Sequence, residues 1–134
     1  MKIELQKNIV SANEDVAAQN QRLFHRAAVV AANLMSSPGA GKTTLLEHTI
    51  TALKDELTIG VIEGDIQGAY DAERLARKGA RTYQLNTDGA CHLSAPMIRK
   101  ALQEFSLAGL DLLFIENVGN LICPAEFELG EHYK

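Results

Sequence analysis

"NLMSSPGAGKTTLLE", residues 33–47, sets serines, proline, glycines and a lysine between an apolar segment and a segment of helical character. Gly41, Lys42 and Thr43 fill the last places of the phosphate-loop pattern, while its first glycine is replaced by Ser36. The tight bend is therefore expected at Pro38 and Gly39. Upstream, "AAVVAANLM" (27–35) is a continuous apolar run of the kind a buried parallel strand needs. Downstream, "KTTLLEHTITALKDEL" (42–57) carries Leu45, Leu46, Ile50 and Leu53 at helical spacing. This order aims successive backbone N–H groups at one concavity on a helix N-terminus, where orphan donors and the helix dipole both favour anions. A plain strand-to-helix turn requires neither the lysine nor the hydroxyls. Lys42 is expected at the β- and γ-phosphates, and the Thr43 hydroxyl on Mg2+.

The rest of the chain repeats the alternation. "SANEDVAAQNQRLFHRA" reads as a leading helix, over residues of about 8–26, with Ser11 as N-cap. "LTIGVIEGD" reads as a second strand, "AYDAERLARKG" as a helix closed by Gly79, and "ARTYQLN" as a third strand. "SAPMIRKALQEF" follows as a helix and "LDLLFIEN" as a fourth strand. The rhythm predicts an α/β fold of P-loop NTPase type, a parallel sheet with helices on both faces and ligands at the carboxyl ends of its strands. Asp65 after the second strand and Glu116 at the end of the fourth are candidates to bind Mg2+ or to orient the water that attacks a γ-phosphate. Glu63 and Asp111 read as surface charges.

The 134 residues, 46% hydrophobic, predict one domain with a real core. A net charge of −4, no basic tract and 5% aromatics argue against a nucleic-acid partner. "MKIELQKN" is no apolar signal segment, and no run approaches the ~18 apolar residues of a membrane span, so a cytoplasmic protein without a membrane partner is expected. The two cysteines are then expected reduced. Cys91 and His92 follow the third strand and Cys123 the fourth, on one sheet rim. Thiolate and imidazole suit Zn2+ or Ni2+, with water or a second subunit completing the site. His25, His48 and His132 read as structural or solvated.

"NLMSSPGAGKTTLLE", "EGDIQ", "DGACHLSAPMI" and "ENVGNLICPAEFELGE" together resemble the HypB family of hydrogenase nickel-incorporation GTPases, over about residues 20–131. The resemblance implies that Ser37, Pro38, Gly39, Ala40, Gly41, Lys42, Thr43 and Thr44 bind GTP or GDP, with Lys42, Asp65 and Glu116 serving hydrolysis. It implies Mg2+ at Thr43, Asp65 and Glu116, and Ni2+ or Zn2+ at Cys91, His92 and Cys123. Implied partners are a second copy of the chain, in a homodimer dependent on nucleotide or metal, a HypA-type nickel metallochaperone and the hydrogenase large-subunit precursor. The N-terminal Cys- or His-rich extension of some members is absent, so no tight N-terminal nickel store is expected. The family's guanine-reading Asn-Lys-x-Asp motif is absent too, so the domain is expected to be C-terminally truncated. A metal-binding protein with an incomplete nucleotide site stays open beside the GTPase. The urease nickel GTPase shares the architecture but carries Cys-Pro-His, whereas here His92 follows Cys91 and Pro124 follows Cys123.

Overall fold

The computed structural model of the chain describes residues 2–64 and 68–134. Its elements are α1 (Lys2–Arg26), β1 (Val30–Leu34), α2 (Lys42–Leu53), β2 (Ile59–Glu63), α3 (Gly68–Arg77), β3 (Arg81–Gln84), α4 (Ala95–Glu104), β4 (Leu112–Glu116) and α5 (Cys123–Glu126). The four strands form one parallel sheet in the order β1-β4-β2-β3. β4 thus lies between β1 and β2 and brings its end beside the ends of both.

Alternation along the strands divides the core in two. Ile62, Leu113 and Ile115 pack with Phe24 of α1 and Ile98 and Ala101 of α4. Ile59 and Val61 pack with Leu46 and Ile50 of α2 and Leu75 of α3, and Leu112 and Phe114 close against them. Helices therefore cover both faces of the sheet. Leu45 departs from the helical-face expectation: it is 55% exposed, since Leu46 and Ile50 already fill the stripe that meets the sheet.

α1 begins at Lys2, so Ser11 is an exposed residue inside the helix and not its N-cap. "KIELQKN" contains neither glycine nor proline and continues the helix without a break. The buried face of α1 is Asn13, Ala17, Asn20 and Phe24, at intervals of three or four residues. Its two asparagines dock the helix onto distant backbone. Asn13 Nδ2 donates to the Glu128 carbonyl (2.7 Å) and Asn13 Oδ1 accepts from the Ala95 N–H (2.7 Å). Asn20 Nδ2 reaches the Ala95 and Leu129 carbonyls, each at 3.0 Å. Past Leu129 the chain lies along β1, where the Asn33 N–H donates to the Tyr133 carbonyl (2.8 Å) and the Ala31 N–H to His132 Nδ1 (2.9 Å). His132 is thus structural. Among the described residues no helix is long and apolar enough to cross a membrane.

Candidate functional site

The loop between β1 and α2 holds Gly39 at φ 73° and Gly41 at φ 97°, left-handed values that a side chain would strain. The bend at Pro38-Gly39 replaces the missing first glycine, and Ser36 takes a part of its own. Its hydroxyl accepts from Lys42 Nζ (3.1 Å) and donates to the Ser37 carbonyl (2.9 Å). The loop opens on a cleft of 490 Å³ lined by residues 38–44, Asp71, Arg74, Glu116, Val118 and Gly119. Lys42 and Thr43 are buried at its floor, while residues 37–41 are exposed.

Thr43 Oγ1 donates to Glu116 Oε1 at 2.7 Å. Glu116 is 1% exposed, and its other oxygen, Oε2, is buried with no hydrogen-bond partner. A buried carboxylate oxygen left without a donor is costly in an apolar setting and fits a cation. In the sheet register Glu63 stands directly opposite Glu116. Instead of a surface charge, Glu63 is therefore fully buried, on the same sheet face as Val61 and Ile59. One oxygen each from Glu63, Asp71 and Glu116 lies within 4.8 Å of the others. With the Thr43 hydroxyl they make a set of hard oxygen donors, the chemistry Mg2+ takes. Asp65 lies outside the described residues.

Asp71 and Arg74 escaped the sequence reading, although the i, i+3 pair on the helix after the second strand was a signal for them. Arg74 Nη1 lies 3.4 Å from Asp71 Oδ1, and its other arm binds Glu47 of α2. Asp111 is exposed, as expected, and accepts from the Thr58 N–H at 2.7 Å, ahead of β2 and at the far end of the sheet.

On the same rim, one ligand atom each from Cys91, His92 and Cys123 lies within 4.8 Å of the others. Both cysteines are free thiols, and His92 Nδ1 is 3.6 Å from Cys91 Sγ. His92 stacks on Phe127, with ring centroids 4.1 Å apart and planes 17° apart. Burial lowers the His92 pKa, which favours the neutral imidazole that binds metal. The Cys91 thiol is pushed up, chiefly by sharing a hydrogen with Cys123. Two sulfurs and an imidazole nitrogen that converge in this way suit Zn2+ or Ni2+.

The residues from Glu116 to Cys123 join the two centres, because their contacts fall by turns on one and then the other. Glu116 binds Thr43. Asn117 is fully buried; its Oδ1 accepts from the N–H groups of Leu93 (3.1 Å) and Val118 (2.8 Å), and its Nδ2 donates to Asn33 Oδ1 (3.1 Å). Asn33 Nδ2 in turn donates to Glu131 Oε2 at 2.8 Å. Gly119 lies so close to the phosphate loop that a Cβ there would stand 2.9 Å from Pro38 Cα. Asn120 Nδ2 donates to the Cys91 carbonyl (3.3 Å) and leads to Cys123. Asn117→Leu should cost on the order of 3 kcal/mol in denaturant unfolding, because it strands the buried Leu93 N–H and Asn33 oxygen. A loss below about 1 kcal/mol would contradict this network.

A family model described as "CobW/HypB/UreG, nucleotide-binding domain" matches residues 30–132. The chain is 52% identical to the hydrogenase maturation factor HypB of Rhizobium leguminosarum bv. viciae, over 98% of this chain and 44% of that protein. The crystal structure of HypB from Archaeoglobus fulgidus superposes with a TM-score of 0.83 at 43% identity, covering 92% of this chain and 60% of that one. HypB from Helicobacter pylori, solved in complex with nickel, superposes with a TM-score of 0.80 at 44% identity, covering 90% of this chain and 57% of that one. The chain spans about half the length of the curated relatives it matches. It belongs to the CobW/HypB/UreG nucleotide-binding family and, within that family, to the HypB hydrogenase maturation factors.

Proposed function

We propose that this chain is the nucleotide-hydrolysing and metal-holding part of a GTP-dependent nickel carrier for hydrogenase maturation in the cytoplasm. The observation that carries the reading is the segment 116–123, whose contacts alternate between the phosphate loop and the Cys91-His92 loop. A change at the γ-phosphate that moves Glu116 or Pro38 is transmitted along this segment to Cys123 and Cys91. Nickel is the cargo. Cys91, His92 and Cys123 would hold it, with the remaining position filled by water or by a second copy of the chain in a dimer. The nickel complex of the Helicobacter pylori relative supports that cargo. A HypA-type metallochaperone would deliver it and the hydrogenase large-subunit precursor would receive it.

Residues 37–44 would cradle the phosphates of GTP, with Lys42 as counter-charge. Mg2+ would be held by Thr43 and Glu116, with Glu63 and Asp71 beside them, and would supply positive charge against the phosphates. Asp65, which follows Gly64 in the chain, is assigned to Mg2+ and the attacking water by its place in the family pattern. The test is phosphate release from GTP with Mg2+, alongside nickel titration of the same protein. Nickel binding without turnover would favour a metal-binding protein with an incomplete nucleotide site.

The phosphate cradle is blind to the base, and these 134 residues contain no Asn-Lys-x-Asp segment to accept hydrogen bonds from guanine. ATP should therefore displace labelled GTP from the 134-residue chain with affinity within about tenfold of GTP itself, whereas a site with a buried guanine-reading carboxylate discriminates by about 10⁴-fold. Strong GTP preference by the 134-residue chain would reveal a guanine contact within it.

A further inference from the structure

Among the described residues, Lys42 and Arg74 are the two basic side chains that line the phosphate cleft. Clustered with them are the carboxylates of Glu63, Asp71 and Glu116, so the formal charge here is negative before any phosphate enters. Phosphoryl transfer adds negative charge on the γ-phosphoryl oxygens and on the leaving β-phosphate oxygen. Arg74 stands where it can meet that charge. It is on α3, one turn beyond Asp71, and its side chain is 32% exposed, so its head can swing without opening the core. One arm lies 3.4 Å from Asp71, and the other binds Glu47 on α2. Asp71 is shared, for it also belongs to the carboxylate cluster at Glu116. A cation drawn into that cluster competes with Arg74 for Asp71 and loosens one of its two tethers.

We propose that Arg74 is an arginine supplied by the chain itself to the γ-phosphate during hydrolysis, held back by Glu47 and Asp71 until the cleft is loaded. The assignment rests on the GTP-hydrolysis reading above. In that reaction water oxygen bonds to the γ-phosphorus as the bond from that phosphorus to the β–γ bridging oxygen breaks. The electron pair leaves with GDP, and the water proton passes to the released phosphate. The planar guanidinium donates two hydrogen bonds at once to phosphoryl oxygens as their charge grows.

The test compares Arg74→Ala, Arg74→Lys and Glu47→Gln with wild type in turnover, GDP affinity and affinity for the Mg2+–GDP–aluminium fluoride mimic of the transition state. Arg74→Ala should lower turnover and mimic affinity by about 100-fold or more while leaving GDP affinity within about threefold. Arg74→Lys should recover only part of this, since an ammonium lacks the fork. Glu47→Gln breaks the same tie between α2 and α3, so it should lower Tm as Arg74→Ala does and yet keep turnover at or above wild type. If Arg74→Ala keeps turnover and mimic affinity, or if both variants lose turnover equally, Arg74 is only a tie between helices and the assignment falls. If wild type itself neither binds nor hydrolyses GTP, the hydrolysis reading falls and Arg74 with it. Failure confined to the Arg74 variants leaves that reading intact.

Discussion

Lys42→Ala is expected to lower nucleotide turnover by about 10³-fold, because it removes the counter-charge nearest the transferring phosphoryl group. The ammonium reaches across the loop to the Ser36 hydroxyl at the floor of the cleft, and neither apolar core cluster includes Lys42. Tm without nucleotide should therefore move by only a few degrees, about 1 kcal/mol or less. Stabilisation by added GTP should be lost in the variant, since a ligand that no longer binds no longer shifts unfolding. Undiminished turnover would place the reaction elsewhere.

Cys91→Ala and Cys123→Ala should each weaken nickel binding by about 100-fold or more, because each removes one of three clustered ligands and leaves an incomplete set. Without nickel, neither should change GTP affinity, as both cysteines lie outside the cleft lining. Phe127 stacks on His92, so Phe127→Ala should loosen the ring and weaken nickel less, by about tenfold. Equilibrium dialysis against nickel checks all three. If the Cys91→Ala, Cys123→Ala double variant binds nickel in full stoichiometry, the cluster is not the metal site.

These expectations rest on features that differ in how plainly the sequence displays them. The phosphate loop was legible because its chemistry is local: the apolar run, Gly41-Lys42-Thr43 and the helix follow one another in the chain. Strand ends were legible too, since in a parallel sheet Glu116, Cys91 and Cys123 must emerge on one rim. The burial of Glu63 was not, because it depends on its register opposite Glu116, a pairing that spans more than fifty residues. Arg74 and Asp71 went unread because their place at the cleft shows only once α3 is packed beside α2. Asn13 and Asn20 stand on the buried face of α1 because their partners come from residues 95, 128 and 129, which no local pattern displays. Ser11 misled for the converse reason. A good capping residue competes poorly with a preceding segment that also favours helix.

The same contrast explains why the contacts that join the two centres emerge only in three dimensions. Asn117 and Gly119 carry no motif chemistry, but one bonds the backbone beside His92 and the other touches Pro38. On the proposed reading, a conformational change in the phosphate loop would reach the thiols through a buried hydrogen bond and a close backbone contact, each with little room to absorb movement.

The central claim, that nucleotide state governs the metal site, is tested most directly by titrating nickel into the protein saturated with Mg2+ and either GDP or a non-hydrolysable GTP analogue. A coupling of about 1–3 kcal/mol is expected, which is roughly a 5- to 150-fold difference in nickel affinity between the two states. Equal nickel affinity with GDP and with the analogue would contradict the account.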